Sequence, residues 1–335
     1  MNAKPAMLDW ADFPDDFAKF ELDPTGCELS IEELGPGVYA LMSSLYNVDN
    51  AGFIVGDKGV LVIDAHVNAA MGEQIQARVR EVTDKPIRYL VNANYHGDHT
   101  FGNCTFPAET VVIQQRETAL RTPWFEEEKA FLLPAMGNDP AIFGGVSYRG
   151  PDIVFDDRLT LDLGGQLVEL YWFGAANTPG DTITYAPAAH AAWTGNMTVG
   201  AFGLALESDA PTYLATLQRF ARTIEPETLV SGHAPLSDAS IIEQYIVYFS
   251  ELTDAVKDAL GAGLSLEEAE DRVILFDAFA PPPDHPRPDI VNGRHKYNVR
   301  RTYLSLAGAA EDLAGWKRLP LAQHPPFTAA GPRRE

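Results

Sequence analysis

Short apolar runs punctuated by glycine open the regular part of the chain. GVYALMSS (37–44), GFIVGD (52–57) and GVLVIDA (59–65) each read as a strand, and the glycines and Asp57-Lys58-Gly59 between them mark turns. Together they predict an antiparallel meander. The period then lengthens: Met71, Ile75, Val79 and Val82 recur at helical spacing and predict a helix over 67–83. IRYLVN (87–92) returns to a continuous apolar run, the pattern of a strand buried on both faces. A polar loop, NYHGDHTFGN (94–103), follows it directly, and TVVIQ (110–114) is the next strand. Residues 115–150 are rich in Phe, Trp, Pro and Gly and are expected to hold helices or a lid.

The second half repeats this order. Strands are expected near 152–155, 158–162, 166–173, 181–186 and 190–194, then a helix near 211–223 and the strand ETLVSG (227–232). Helical patterns cover 238–261, 265–275 and 295–308, with the linker APPPDHPRP (280–288) before the last. Two β-rich halves that each close with helices predict an α/β fold, a β-sandwich flanked by helices. The organisation expected is an N-terminal extension (1–30), one domain (31–310) and a Pro-rich tail (311–335).

Composition narrows the classes. The 335 residues are 46% hydrophobic, enough for one large core or two modest ones. A formal net charge of −22 repels phosphate backbones and anionic membranes, which argues against nucleic-acid or membrane partners. No apolar run approaches the roughly 20 residues of a membrane span, and MNAKPAMLDW has no secretory pattern, so the expected location is cytoplasmic. Cys27 and Cys104 are too few for a disulfide framework or a Cys-rich zinc site.

The chemistry concentrates in His96-Gly97-Asp98-His99, immediately after a buried strand. Imidazole nitrogens and a carboxylate are zinc donors, and loops at the C-terminal ends of strands are where α/β proteins build sites. A sharp backbone bend at Gly97 is expected to let these side chains converge. Only 8 histidines occur in the chain, so their clustering here favours a site over a polar surface loop. His66 reads equally as a support for such a site or as a satisfied structural residue. His295 reads as structural, and His190, His285 and His324 fall in turns or Pro-rich stretches. Trp124, Phe125 and Phe131 read as core or dimer contacts before substrate wall.

VNANYHGDHTFGN resembles the signature loop of the metallo-β-lactamase superfamily, usually His-x-His-x-Asp-His after a strand. Four further blocks stand in the family's order over roughly 37–308: GFIVGDKGVLVIDAH with Asp64 in the supporting position, AANTPGDTITYAP, WTGNM and VSGHAP. The resemblance implies an αββα sandwich and a metal-dependent hydrolase.

Where the chain departs from that pattern, asparagine replaces a ligand. Asn94 stands at the first histidine, Asn177 at the histidine of the second-histidine loop and Asn196 at the bridging aspartate. An amide oxygen is a weaker zinc donor than imidazole. The expectation is therefore one catalytic Zn2+ held by Asp98, His99, Asn196 and His233, with Asp98 as its only carboxylate ligand. His96 is left free as a general base, and Asn94 and Asn177 are left to stabilise developing charge. This substitution set is similar to the chlorothalonil hydrolytic dehalogenase branch, which implies a zinc-bound hydroxide attacking an electron-poor, chlorinated aromatic carbon. The substrate expected is then a small apolar aromatic, with a homodimer as a reasonable assembly. Two alternatives stay open: an ester, lactone or β-lactam hydrolase, and a non-catalytic relative with a degraded site.

Overall fold

A computed structural model describes residues 17–200, 202–274 and 287–309, together with Leu8, Trp10, Phe13, Pro14 and Phe279. The tail expected over 311–335 and most of the 280–288 linker lie outside the described residues.

Alternation along the first strands decides the layers. β1 (Leu29–Gly35), β2 (Val38–Ser43), β3 (Ala51–Gly56) and β4 (Gly59–Ile63) form an antiparallel meander. Ile54, Leu61 and Ile63 turn one way, into a core shared with Val168, Leu170, Trp193 and Val230 of the second half. Phe53, Val60 and Val62 turn the other way, onto Met71, Ile75 and Val79 of α1 (Ala69–Val82). This is the period-two rule of a strand with partners on both faces. Asn68 starts α1 by accepting the Met71 N–H at 2.9 Å. The helix carries the chain back to β5 (Ile87–Val91), which pairs parallel with β4.

The chain continues through the single-turn α2 (Gly97–Thr100) to β6 (Val111–Gln115), then through α3 (Arg116–Arg121) and α4 (Phe125–Leu132) to β7 (Ile153–Phe155). β6 pairs parallel with both β5 and β7, which completes a seven-stranded sheet in the order β1-β2-β3-β4-β5-β6-β7. The strand near 152–155, grouped with the second half from sequence, therefore belongs to the first sheet. A hydrophobic pattern marks a strand but not its neighbours. β1 begins at Leu29, inside the segment read as an extension, because its alternating acidic residues resemble a polar tail.

The second sheet runs β12-β11-β10-β9-β8. β8 (Arg158–Asp162), β9 (Leu167–Tyr171), β10 (Ile183–Ala186) and β11 (Ala191–Gly195) are antiparallel, and β12 (Thr228–Ser231) joins β11 in parallel after α5 (Ala210–Thr223). Its outer face packs Phe173, Ile183 and Leu229 against Leu217 and Phe220 of α5 and Tyr245, Phe249 and Leu252 of α6 (Ser240–Gly261). α7 (Leu266–Arg272) opens with a Ser265–Glu268 capping box. α8 (Pro288–Leu306) starts earlier than its apolar spacing suggests, with Pro288 at the position where its missing N–H costs nothing. Helix, sheet, sheet, helix is the αββα order.

A further cluster closes one end of the sandwich. Leu8, Phe13, Phe17 and Leu22 pack with Phe131, Leu132 and Tyr297, so the described N-terminal residues are part of the packed structure. Trp10 stacks on Phe131 with ring centroids 5.2 Å apart.

Candidate metal centre

Loops at the ends of β2, β4, β5, β9, β11 and β12 meet beneath that roof and are tied together by their own polar groups. Asn50 donates to Ser231 O at 3.0 Å and to Ala234 O at 2.8 Å, clamping the β2–β3 loop onto the loop after β12. Gly232 N–H donates to Gly195 O at 2.8 Å, which brings in the end of β11. A side chain at Gly232 would meet the Asn196 amide oxygen at 2.6 Å, so close approach is what this position requires. Asp64 accepts the Ala93 N–H at 2.7 Å and fixes the β4 end to the signature loop. Asp64 and His66 hold φ angles of 62° and 67°, strained for residues with a Cβ and a cost met where structure over-determines them.

These ties converge Asp49, Asp98, His99 and His233, whose ligand atoms all lie within 4.8 Å of one another. His233 Nε2 is 3.3 Å from both Asp49 Oδ1 and Asp98 Oδ2. His99 Nε2 is 3.8 Å from Asp49 Oδ1 and 3.1 Å from Asn196 Oδ1. The other nitrogen of each ring is engaged: His99 Nδ1 donates to Asp64 Oδ2 at 3.0 Å, and His233 Nδ1 donates to Asn47 O at 2.9 Å. Such partners fix the tautomer and leave Nε2 as a lone pair. Lone pairs on two imidazoles, two carboxylates and an amide thus face one another, with Asp49 Oδ1 and Asp98 Oδ1 lacking hydrogen-bond partners. Acceptors facing acceptors in a buried site call for a cation, so the donor set fits a divalent metal ion.

Without a cation, protons held on Asp49 and His99 take its place between the acceptors. Burial and the neighbouring Asp98 carboxylate push the Asp49 carboxyl well above the usual range. Burial would raise Asp98 too, but the imidazoles of His99 and His233 beside it more than offset that, and its carboxyl lies well below the ordinary value. Burial would lower His99, yet Asp64, Asp98 and Asp49 hold it well above the imidazole norm.

The sequence-expected residues divide. Asp98, His99 and His233 are brought together, with Asn196 Oδ1 against His99. Asp49 joins them and was missed, so Asp98 is not the only carboxylate at the centre. A lone aspartate in a loop has no motif, and only the contact of Asn50 with residues 181 and 184 positions away reveals its place. His66, buried, pairs its Nε2 with Asp49 O at 3.0 Å and so supports that residue; burial lowers its pKa to about 4, keeping it neutral.

His96 is not one of the clustered donors. Its Nδ1 pairs with Glu128 Oε1 at 2.8 Å, its buried Nε2 has no partner, and the residue lines the cavity. Glu128, on α4, also accepts the Gly97 N–H at 3.2 Å. Burial would lower His96, but the Glu128 carboxylate raises it above its ordinary value. Asn94 is not on the cavity wall; its oxygen accepts the His96 N–H at 2.8 Å and sets the turn. Asn177 is on the wall, donating to Leu204 O at 2.9 Å and leaving its oxygen unpaired. The bend expected at Gly97 is an ordinary helix start. Space is what demands glycine there, since a Cβ would meet the Phe101 ring at 2.4 Å. His295 is structural, between Tyr248 Oη at 2.9 Å and Val273 O at 2.9 Å.

The cavity is small, about 40 Å3, with polar His96, Asp98, Asn177, Asn196 and His233 on one side. Apolar walls come from Phe20, Leu22, Phe131, Leu132 and Leu206. Phe131, read from sequence as core or dimer contact, is a cavity wall as well as core.

Such a fold with such a donor set defines a metal-dependent hydrolase scaffold. The model of the metallo-beta-lactamase superfamily matches residues 47–233, and the chain belongs to that superfamily. Among solved structures it is similar to a metallo-beta-lactamase from Pontibacter korlensis, with a TM-score of 0.53 and 18% identity over 67% of this chain and 99% of that one. It is also similar to the stereoselective inverting sec-alkylsulfatase Pisa1 from Pseudomonas sp., with a TM-score of 0.62 and 15% identity over 84% of this chain. That match spans only 50% of the alkylsulfatase. The DIM-1 metallo-beta-lactamase matches with a TM-score of 0.51 and 15% identity over 67% of this chain and 97% of its own. At these identities the likeness is one of fold.

Proposed function

We propose that the protein is a zinc-dependent hydrolase of small, apolar-bodied molecules, with hydrolytic removal of chloride from an electron-poor aromatic carbon as its reaction. The observation carrying this reading is the unpaired Nε2 of His96, whose ring is held by a buried carboxylate and which lines one cavity with Asp98.

A single ion at Asp49, Asp98, His99 and His233 would supply Lewis acidity and activate water at the cavity floor. The two carboxylates balance its charge, which favours one divalent ion over two. His96 does the proton work: with Glu128 accepting from Nδ1, Nε2 is the acceptor, and it can take a proton from water lying between it and the donor cluster. Glu128 orients the ring and stabilises its protonated form. Asn177 offers its unpaired oxygen to hold that water. The apolar walls exclude bulk solvent, and a departing chloride needs no proton, so one base suffices.

Metal analysis with a chloride-release assay on chlorinated aromatic nitriles, beside nitrocefin and a lactone panel, tests the reading. About one zinc per chain and metal-dependent chloride release, abolished in His96→Ala, are expected. Turnover of the acyl substrates without chloride release would transfer the site to ester, lactone or β-lactam hydrolysis. Absence of both metal and turnover would leave a non-catalytic relative.

A further inference from the structure

Arg294 lies on α8, at the opposite end of the chain from the N-terminal residues of the roof, yet it lines the same cavity as Asp98 and His233. It is 8% exposed. The other described buried arginines, Arg121 and Arg301, both have closer partners, although the Arg121 Nε likewise lacks a hydrogen bond. Arg121 pairs with Glu117 at 2.8 Å and faces Glu207 at 3.9 Å, and Arg301 donates to Ser208 O at 3.1 Å. Arg294 instead makes one long hydrogen bond, Nη2 to Asn47 Oδ1 at 3.4 Å, and its Nε is buried with no partner. Among the described residues no carboxylate lies within ion-pair distance of it. An uncompensated buried guanidinium is among the costlier arrangements a fold can retain.

Two of the tyrosines beside it are committed elsewhere. Tyr245 Oη, which faces it, is committed to Gly200 O at 2.8 Å, and Tyr213 Oη to Met197 O at 2.7 Å. Asn47 is used three ways: its carbonyl accepts from His233, its amide N–H donates to Glu21 O at 3.3 Å, and its side-chain oxygen meets Arg294. The cavity that Arg294 lines is where a further partner can reach it.

We propose that Arg294 is an anion subsite of the substrate pocket, which takes a carboxylate or sulfate group carried by a substrate whose apolar body lies against Phe20, Leu22, Phe131 and Leu206. The planar fork of N–H donors matches an oxyanion in two-point geometry, which a spherical halide does not use. This deepens the hydrolase reading of the same cavity by naming a second recognition element on the substrate.

Calorimetric titration of the full-length zinc-loaded protein with benzoate, benzamide and chloride reads the subsite without turnover. Benzoate is expected to bind at least about tenfold more tightly than benzamide, its neutral isostere, and chloride is expected not to compete. In Arg294→Met the benzoate-to-benzamide ratio falls towards one. Arg294→Lys keeps the charge but loses the fork, and retains part of the preference, which guards against a folding defect in the first variant. Repeating the titration in chelator separates the guanidinium from the metal. A preference that survives Arg294→Met but vanishes with zinc assigns the anion to the metal and overturns the proposal, as does equal binding of benzoate and benzamide or competition by chloride. A preference that depends on Arg294 in a protein that hydrolyses nothing would sustain the subsite while refuting the hydrolase.

Discussion

Asp49→Asn separates a metal ligand from a structural aspartate by the sign of its effect. Asp49 and Asp98 bring carboxylate oxygens within 4.8 Å in a buried site. At that distance two unit charges repel by about 3.5 kcal/mol for an effective dielectric of about 20. The metal-free protein escapes part of this by holding a proton, consistent with the raised Asp49 carboxyl, so relief from the neutral amide is expected at about 2 kcal/mol. In chelator the variant should therefore melt above the unsubstituted protein. With zinc the order reverses. A ligand at a hundredfold its Kd stabilises by about 2.7 kcal/mol, and the variant forfeits this because losing a direct ligand should weaken binding by more than the ten- to hundredfold typical of supporting residues. Thermal melts in chelator and in excess zinc, with zinc calorimetry, read both halves. Destabilisation by the same amount in both conditions, with zinc affinity unchanged, would refute the assignment.

Glu128→Gln should lower kcat by about ten- to a hundredfold on whichever substrate is turned over, with KM and zinc content little changed, because it weakens the base without touching the donors; steady-state kinetics and metal analysis check this. Asp181, buried and bonded to the Thr178 N–H at 2.7 Å and hydroxyl at 2.9 Å, is pushed up to about 7 by burial. Its folded pKa exceeds its unfolded value, so its contribution is full below about pH 4 and is lost as pH rises to about 7, amounting to as much as about 4 kcal/mol. Asp181→Asn should flatten that slope in denaturant titrations between pH 5 and 7; an unchanged slope would assign the titration elsewhere. Arg121→Met strands the buried Glu207 and should cost about 3–5 kcal/mol, much of it recovered in Arg121→Met/Glu207→Gln as measured by urea unfolding.

Motifs were legible where local chemistry and local geometry coincide. Asp98 and His99 sit in one short segment after a buried strand, and Asp64 takes the supporting position that the family resemblance implies. The remainder depends on contacts between distant segments. Asp49 becomes a donor because Asn50 clamps its loop to residues 231 and 234. Glu128 has no spacing signal at all, since it reaches His96 from a helix within the Phe- and Pro-rich segment. β7 has an unremarkable apolar pattern, and only its parallel pairing with β6 assigns it to the first sheet. Arg294 lies in a helix of mixed polarity, where an arginine reads as solvated until its burial is known. Gly97 illustrates the opposite error, a correct residue with the wrong reason: the Phe101 ring, not an unusual φ, excludes a side chain.

All the donors, from Asp49 to His233, fall within the 47–233 span that the superfamily shares. Phe20, Leu22 and Arg294, which shape the cavity above them, lie outside it on both flanks. Inheritance can therefore act on the two separately. Exchanging the flanking segments between relatives would re-specify which molecules are admitted while leaving the chemistry in place, and drift in those segments would diversify a lineage long before its metal centre changed.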